Sequence, residues 1–130
     1  MARGLKAQLK ADPTNWLLEP NNPAVRYLTL RDIIDSPDED SESLRAKEAI
    51  KSYEKIERIF RKQKPEGHWE SADRPYLPKY KSSYWQIMIL GQLGLDRSDA
   101  RVARACEHIF SFQLEEGGFS IIGLKGTAKE

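Results

Sequence analysis

The sequence lacks any long apolar run. The longest, Ile87 to Leu90, falls far short of the roughly 20 residues that a membrane-spanning helix requires. The polar N-terminus has no hydrophobic core of the signal-peptide kind, so no membrane span is expected and the expected location is cytoplasmic. Cysteine is almost absent: Cys106 stands alone, which excludes an internal disulfide and agrees with a reducing compartment. Neither sign of charge dominates, with 21 basic against 20 acidic residues and a net charge of +1. Arg58, Arg61, Lys62 and Lys64 do gather near one helix end, but Glu54, Glu57 and Glu66 interleave with them, so nucleic acid is not an expected partner. Alternating strand patterns are missing, which disfavours a nucleotide-binding α/β sheet, and no glycine-rich phosphate loop ends in lysine and serine or threonine. The two histidines offer little metal chemistry. Cys106 and His108 are two apart on a helix and point away from each other, so neither a metal site nor a Cys/His nucleophilic pair is expected, and no cofactor is predicted.

What the chain does contain is the make-up of a folded surface and core: 39% hydrophobic and 32% charged residues in a length of 130, enough for one ordinary core. Residues 1–130 therefore read as a single all-α domain. A short helix or arm over Leu5–Leu9 ends or restarts at Pro13, because proline lacks the amide hydrogen that a helix interior needs. Asn22 as N-cap and Pro23 at the first helical position start a helix carrying Val25, Leu28, Leu30, Ile33 and Ile34, which Ser36 and Pro37 terminate. Ser41 caps a long predicted helix to about Lys62, with Ala49, Tyr53, Ile56, Phe60 and Gln63 on one face and a Glu54–Arg58 i,i+4 pair on the wetter side. From Lys64 to Ser82, Pro65, Gly67, Pro75 and Pro78 enforce a long loop, which Trp69, Tyr76 and Tyr80 are expected to pack down. Ser82 or Ser83 caps a helix with Trp85, Ile89 and Leu93 that Gly94 ends. Asp96 or Ser98 starts another, with Val102, Ala105, Cys106, Ile109 and Phe110, continuing to about Gln113.

An offset of fifty residues superimposes Ile59–Trp69 on Ile109–Phe119, and Glu57 on Glu107. In both copies an apolar helical face ends at a glutamine (Gln63, Gln113). A glycine follows four residues later (Gly67, Gly117), and an aromatic ring returns two positions after it (Trp69, Phe119). The expectation is that each ring covers its helix end while each glutamine amide satisfies a neighbouring backbone group. A period of about fifty suits stacked helix pairs that share a core, with repeat units centred on 43–70 and 83–120.

The segments Gln63-Lys-Pro-Glu-Gly67-His-Trp69 and Gln113-Leu-Glu-Glu-Gly117-Gly-Phe119 resemble the repeat signature of the α/α-toroids: squalene and terpenoid cyclases and protein prenyltransferase β subunits. Lys81–Asp96 looks like the next helix and turn of that repeat, and the resemblance covers roughly Ser43 to Ser120. Trp16–Glu19 and Asn22–Asp32 look like the beginning of microbial cyclase-like proteins, and Pro23–Leu28 has a flavour of HEAT-type helical repeats. The resemblance implies a partial α/α-toroid of stacked helical hairpins with long ordered loops and no substantial sheet. It also implies an incomplete ring: an N-terminal fragment or truncated member, with missing C-terminal repeats or self-association covering its open side.

The chemistry of those families is not carried over with the fold. There is no Asp-x-Asp-Asp run, the acidic stretch Asp35–Glu42 reads as a solvated connection, and no aspartate, cysteine and histidine set matches the prenyltransferase zinc ligands. A metal requirement stays open for any longer enzyme of which this is a part. Trp69, Tyr76, Tyr80, Tyr84 and Trp85 either line a pocket for an apolar ligand, as the resemblance implies, or hold the long loop against the helices. Arg26 and Arg31 either bind an anion or form surface ion pairs. Two functions follow as alternatives. One is a partial cyclase- or prenyltransferase-like enzyme domain acting on an isoprenoid-like or similar apolar substrate, with the isolated chain expected to be inactive. The other is a non-catalytic scaffold for a protein or peptide.

Overall fold

A computed structural model describes residues 7–121. Among these residues the chain is helical, with six α-helices, no strand, and one isolated antiparallel bridge between Gln113 and Phe119. The helices are α1 (Thr14–Leu17), α2 (Pro23–Asp32), α3 (Ser41–Ile50), α4 (Glu54–Phe60), α5 (Ser83–Gln92) and α6 (Ala100–Phe110). Length alone suggests one domain, yet the chain divides between Tyr53 and Glu54 into two compact units. The first predicted repeat, centred on 43–70, straddles that division. Of the predicted Leu5–Leu9 segment, Leu5 and Lys6 lie outside the described residues, and the rest is turn and bend.

In the N-terminal unit Pro13 restarts the chain as α1, which the sequence pattern did not single out. Asn22 caps α2 as expected, its side-chain oxygen accepting from the Val25 amide at 3.4 Å with Pro23 in the first position. The helix stops at Asp32, before Ile33 and Ile34. It packs against α3 and, less extensively, α1, burying Ala24, Tyr27, Leu30, Ala46 and Ile50. The cap of α3 is Asp40 rather than Ser41. Its carboxylate accepts from the amides of Glu42 and Ser43, both at 3.0 Å, and an anion also suits the positive helix start. Both candidate anion-binding arginines are engaged: Arg26 donates to the Leu18 carbonyl and pairs with Glu42 at 3.5 Å, and Arg31 forks onto Asp32.

The single helix predicted from Ser41 to Lys62 is two. Lys51 and Tyr53 bond back three residues, to Glu48 and Ile50, and the ladder breaks there. The reason lies in the core. Ile50 and Ile56 are both fully buried, yet residues six apart on a straight helix lie about 120° apart around its axis, and the break frees each to turn inward in its own unit. The expected stripe does not form, since Ala49 is exposed. Nor does the Glu54–Arg58 pair, because Glu54 takes Arg61 instead at 3.1 and 3.3 Å.

In the C-terminal unit the loop after α4 is free of helix until Ser83. Gly94 (φ +97°) ends α5 as expected. Its amide bonds Gly91 while that of Leu95 bonds Leu90, two crossed bonds that satisfy the last carbonyls, and both leucines are buried. Asp99, rather than Asp96 or Ser98, caps α6 by accepting from Arg101 N at 2.9 Å. α6 ends at Phe110, three residues short of Gln113, and packs against α5.

Candidate functional site

Helix α4 ends because Gln63 reaches a turn that its own side chain closes. Its Nε2 donates to the Gly67 carbonyl at 3.0 Å, Lys64 N donates to His68 O at 2.7 Å, and Gly67 N donates to Lys64 O at 2.9 Å. Fifty residues on, Gln113 Nε2 donates to Gly117 O at 3.3 Å, Leu114 N to Gly118 O at 2.7 Å, and Gly117 N to Leu114 O at 2.9 Å. Both glycines sit in the left-handed region, at φ +101° and +93°. The returning rings match too: Phe60 and Trp69 have centroids 6.3 Å apart, Phe110 and Phe119 6.1 Å. The sequence repeat is thus a repeat of geometry, bond for bond.

The two copies differ in what lies against them. Gln63 Nε2 also donates to the carbonyl of Arg101 in α6, at 3.0 Å. A Cβ placed on Gly67 would stand 2.5 Å from Arg104 O, so α6 lies directly on the first turn. Trp69 beneath it is 2% exposed, its indole donating to Ile59 O at 2.8 Å and its amide to Ser83 Oγ at 3.0 Å. At the second turn a Cβ on Gly117 would meet nothing within 4 Å among the described residues, and Phe110 and Phe119 are 51% and 41% exposed. Phe119 therefore pairs with Phe110 but does not seal its turn as Trp69 does.

The remaining aromatic residues organise the loop. Trp85 Nε1 donates to Tyr76 O at 2.9 Å, and its rings lie 5.3 Å from Tyr76 and 4.7 Å from Tyr80. Tyr84 donates its hydroxyl to Ser120 O at 2.6 Å, and burial raises its pKa. Tyr80, expected to be packed down, is 69% exposed. It borders a cleft of about 480 Å³ beside Arg58, Lys62, Lys81 and Glu70, with Trp69 and Ile59 in its wall.

Arg101 is the residue that sequence reasoning missed. It forks onto Asp99 (Nε to Oδ1 at 3.1 Å, Nη2 to Oδ2 at 2.8 Å), donates to Glu57 at 2.7 Å, and sets its guanidinium 3.8 Å above the Phe60 ring. A local signal existed only for Asp99, two residues away; Glu57 and Phe60 are more than forty away. The bond from Arg101, ahead of the opposing cost of burial, holds the Asp99 carboxyl below the usual range, and Asp99 in turn raises Arg101. A depressed folded-state pKa stabilises the fold above the unfolded value of about 4, and that contribution is lost as pH falls through the folded one. Asp99→Asn is therefore expected to be about 1.5–3 kcal/mol less stable than the parent at pH 7, the range for a hydrogen bond to a charged group. The gap should narrow as pH falls below 4, read by urea denaturation across that range.

Among the described residues no group of three or more His, Cys, Asp or Glu side chains could hold a metal ion, and no helix is long and apolar enough to cross a membrane. His68 and His108 do meet, with ring centroids 4.9 Å apart, a contact that their positions in the chain did not announce. No protein-family model, no curated protein and no solved structure matches the chain.

Proposed function

We propose that residues 54–121 form a helix-docking repeat unit of the α/α-toroid kind, a non-catalytic scaffold whose second turn receives a helix as the first turn receives α6. The observation that carries this reading is the pair of bond-matched turns of which one is covered and one is open. What the first turn takes defines what the second would take: a helix offering a main-chain carbonyl to the glutamine amide and a small residue where α6 has Ala105, so that its backbone can lie on the glycine. Phe110, Phe119 and Ile121 supply the apolar contact. A terpenoid-cyclase or prenyltransferase relationship remains the family reading of the same turns, and the unit then serves as one segment of a larger wall rather than as a complete reaction chamber. Reactive cations need exclusion of water, which an open repeat does not provide.

A peptide spanning Asp99–Phe112, stabilised as a helix by a side-chain staple away from Ala105, tests the docking directly. Titrated into the labelled protein, it is expected to shift the amides of Gln113, Gly117 and Phe119 saturably, and Gly117→Val should abolish those shifts. Saturable binding elsewhere, or none, sinks the proposal. Incubation of the chain with prenyl diphosphates and squalene-like substrates is expected to give no product, and robust turnover by the monomer would replace the scaffold reading with an enzymatic one.

A further inference from the structure

The cleft beside Trp69 has a chemistry that helix docking does not use. Arg58 and Lys62 project from the end of α4 and the turn after it, and Lys81 comes from the far end of the long loop; all three line the same concavity. A fourth cation in the wall, Arg61, is neutralised by Glu54 at 3.1 Å. Arg58, Lys62 and Lys81 have no ion-pair partner among the described residues, and Glu70 is the one carboxylate in the lining. The cleft therefore keeps an excess of positive charge inside a chain whose overall balance is nearly neutral. A concavity concentrates that potential more than a flat surface does.

The rim adds a second feature. Of the three non-glycine residues with left-handed backbone among the described residues, Glu70 (φ 58°) and Tyr80 (φ 66°) border this cleft. Such conformations carry strain and persist only where surrounding contacts enforce them. Here Gln86 Nε2 holds the Tyr80 carbonyl at 2.7 Å and Trp85 braces the ring, which nevertheless stays largely in solvent at the mouth. A volume of about 480 Å³ is in the range of small-molecule sites rather than of macromolecular grooves.

We infer that the Arg58/Lys62/Lys81 cleft binds a phosphorylated small molecule, its phosphate groups against the three cations and a planar or apolar body on Tyr80 and Ile59. Arginine supplies a forked donor pair and the two lysines add mobile ammonium groups, a set that suits a phosphate with several charged oxygens. Tyr80 offers a ring to a planar body. The inference is independent of the repeat reading, since none of these groups belongs to the second turn.

The full chain, isotope-labelled and in low-salt buffer free of phosphate, is titrated with inorganic pyrophosphate and with ADP as a probe carrying both a diphosphate and a planar base. Saturable one-to-one shifts are expected, centred on 58–62, 70 and 80–81. Affinity for both probes should fall roughly ten-fold or more in Lys62→Ala/Lys81→Ala, as expected for loss of charge-assisted contacts. Tyr80→Ala should weaken ADP severalfold while leaving pyrophosphate unchanged. Arg45→Ala, on α3, should change neither. Sedimentation with phosphatidic acid vesicles separates the sources of phosphate: pelleting that the double lysine variant loses assigns the group to a lipid headgroup, and binding to ADP without pelleting assigns it to a soluble ligand. Shifts that never saturate, that scatter over all surface lysines, or that survive in the double variant overturn the inference, as does failure of both probes and vesicles to bind.

Discussion

Gly67→Ala is expected to cost about 2–5 kcal/mol, whereas Gly117→Ala, the same change in the matching turn, is expected to cost about 1–2 kcal/mol. Each glycine has a φ close to +100°, so each alanine meets the same conformational strain, on the order of 1–2 kcal/mol for an L-residue in that region. Only Gly67 then collides. Its new methyl would stand 2.5 Å from Arg104 O and 2.8 Å from Arg104 C, atoms of a helix backbone that cannot swing aside as a side-chain tip can. Relief requires α6 to lift from the turn, stretching the Gln63–Arg101 bond. Such displacement of packed structure costs about 1–3 kcal/mol more. Equilibrium urea denaturation of both variants reads the difference. Equal losses would mean that α6 does not rest on the first turn in solution.

The second large effect belongs to Trp69. Truncation to alanine is expected to remove about 3–5 kcal/mol, the usual cost of deleting a buried large ring whose site cannot collapse. Phe119→Ala should lose about 1 kcal/mol or less, since that ring is already well exposed. Trp69→Phe separates the two parts of the tryptophan's contribution: it keeps most of the apolar contact with Phe60 but leaves Ile59 O without the indole donor. Ile59 O keeps the Lys62 amide at 3.2 Å, so one of its two bonds is lost at a cost of about 0.5–1.5 kcal/mol, and this variant should fall between parent and alanine. A Trp69→Ala loss below about 1 kcal/mol would identify the residue as a surface contact and undo the account of the turn.

Elements governed by local chemistry were legible in the chain. Asn22-Pro23 announced a helix start because cap and fixed φ are properties of two neighbouring residues, and Gly94 announced a stop for the same reason. The two glutamine/glycine/aromatic turns were legible because their defining bonds span only four residues. The break after Ile50 was not. Ala49, Tyr53, Ile56 and Phe60 satisfy a helical period by coincidence, and only the burial of Ile50 shows that the pattern belongs to two helices. Asp40 was passed over for the adjacent Ser41, although an aspartate accepts as well and adds a favourable charge, and Asp99 was passed over for Asp96 or Ser98. The cleft was hidden differently. Glu54 and Glu57 interleave with its cations in sequence, yet in space they serve Arg61 and Arg101, leaving Arg58 and Lys62 to face Lys81 from the far side of a loop. Arg101 joins Phe60, Glu57 and Gln63 across about forty positions, a distance over which no sequence period speaks.

The amide of Gln63 donates twice, once to a carbonyl four residues away and once to a carbonyl thirty-eight away, and this sets an order of events during folding. The bond to Gly67 closes a short loop, which forms in tens of nanoseconds and costs little chain entropy. The bond to Arg101 waits until the long loop and α5 have brought α6 back. The Gln113 turn has no such appointment to keep, because its bonds are all local. Kinetic φ-values should accordingly be high for Gln113 and divided for Gln63, whose side chain makes its near partner early and its far partner only as the unit locks.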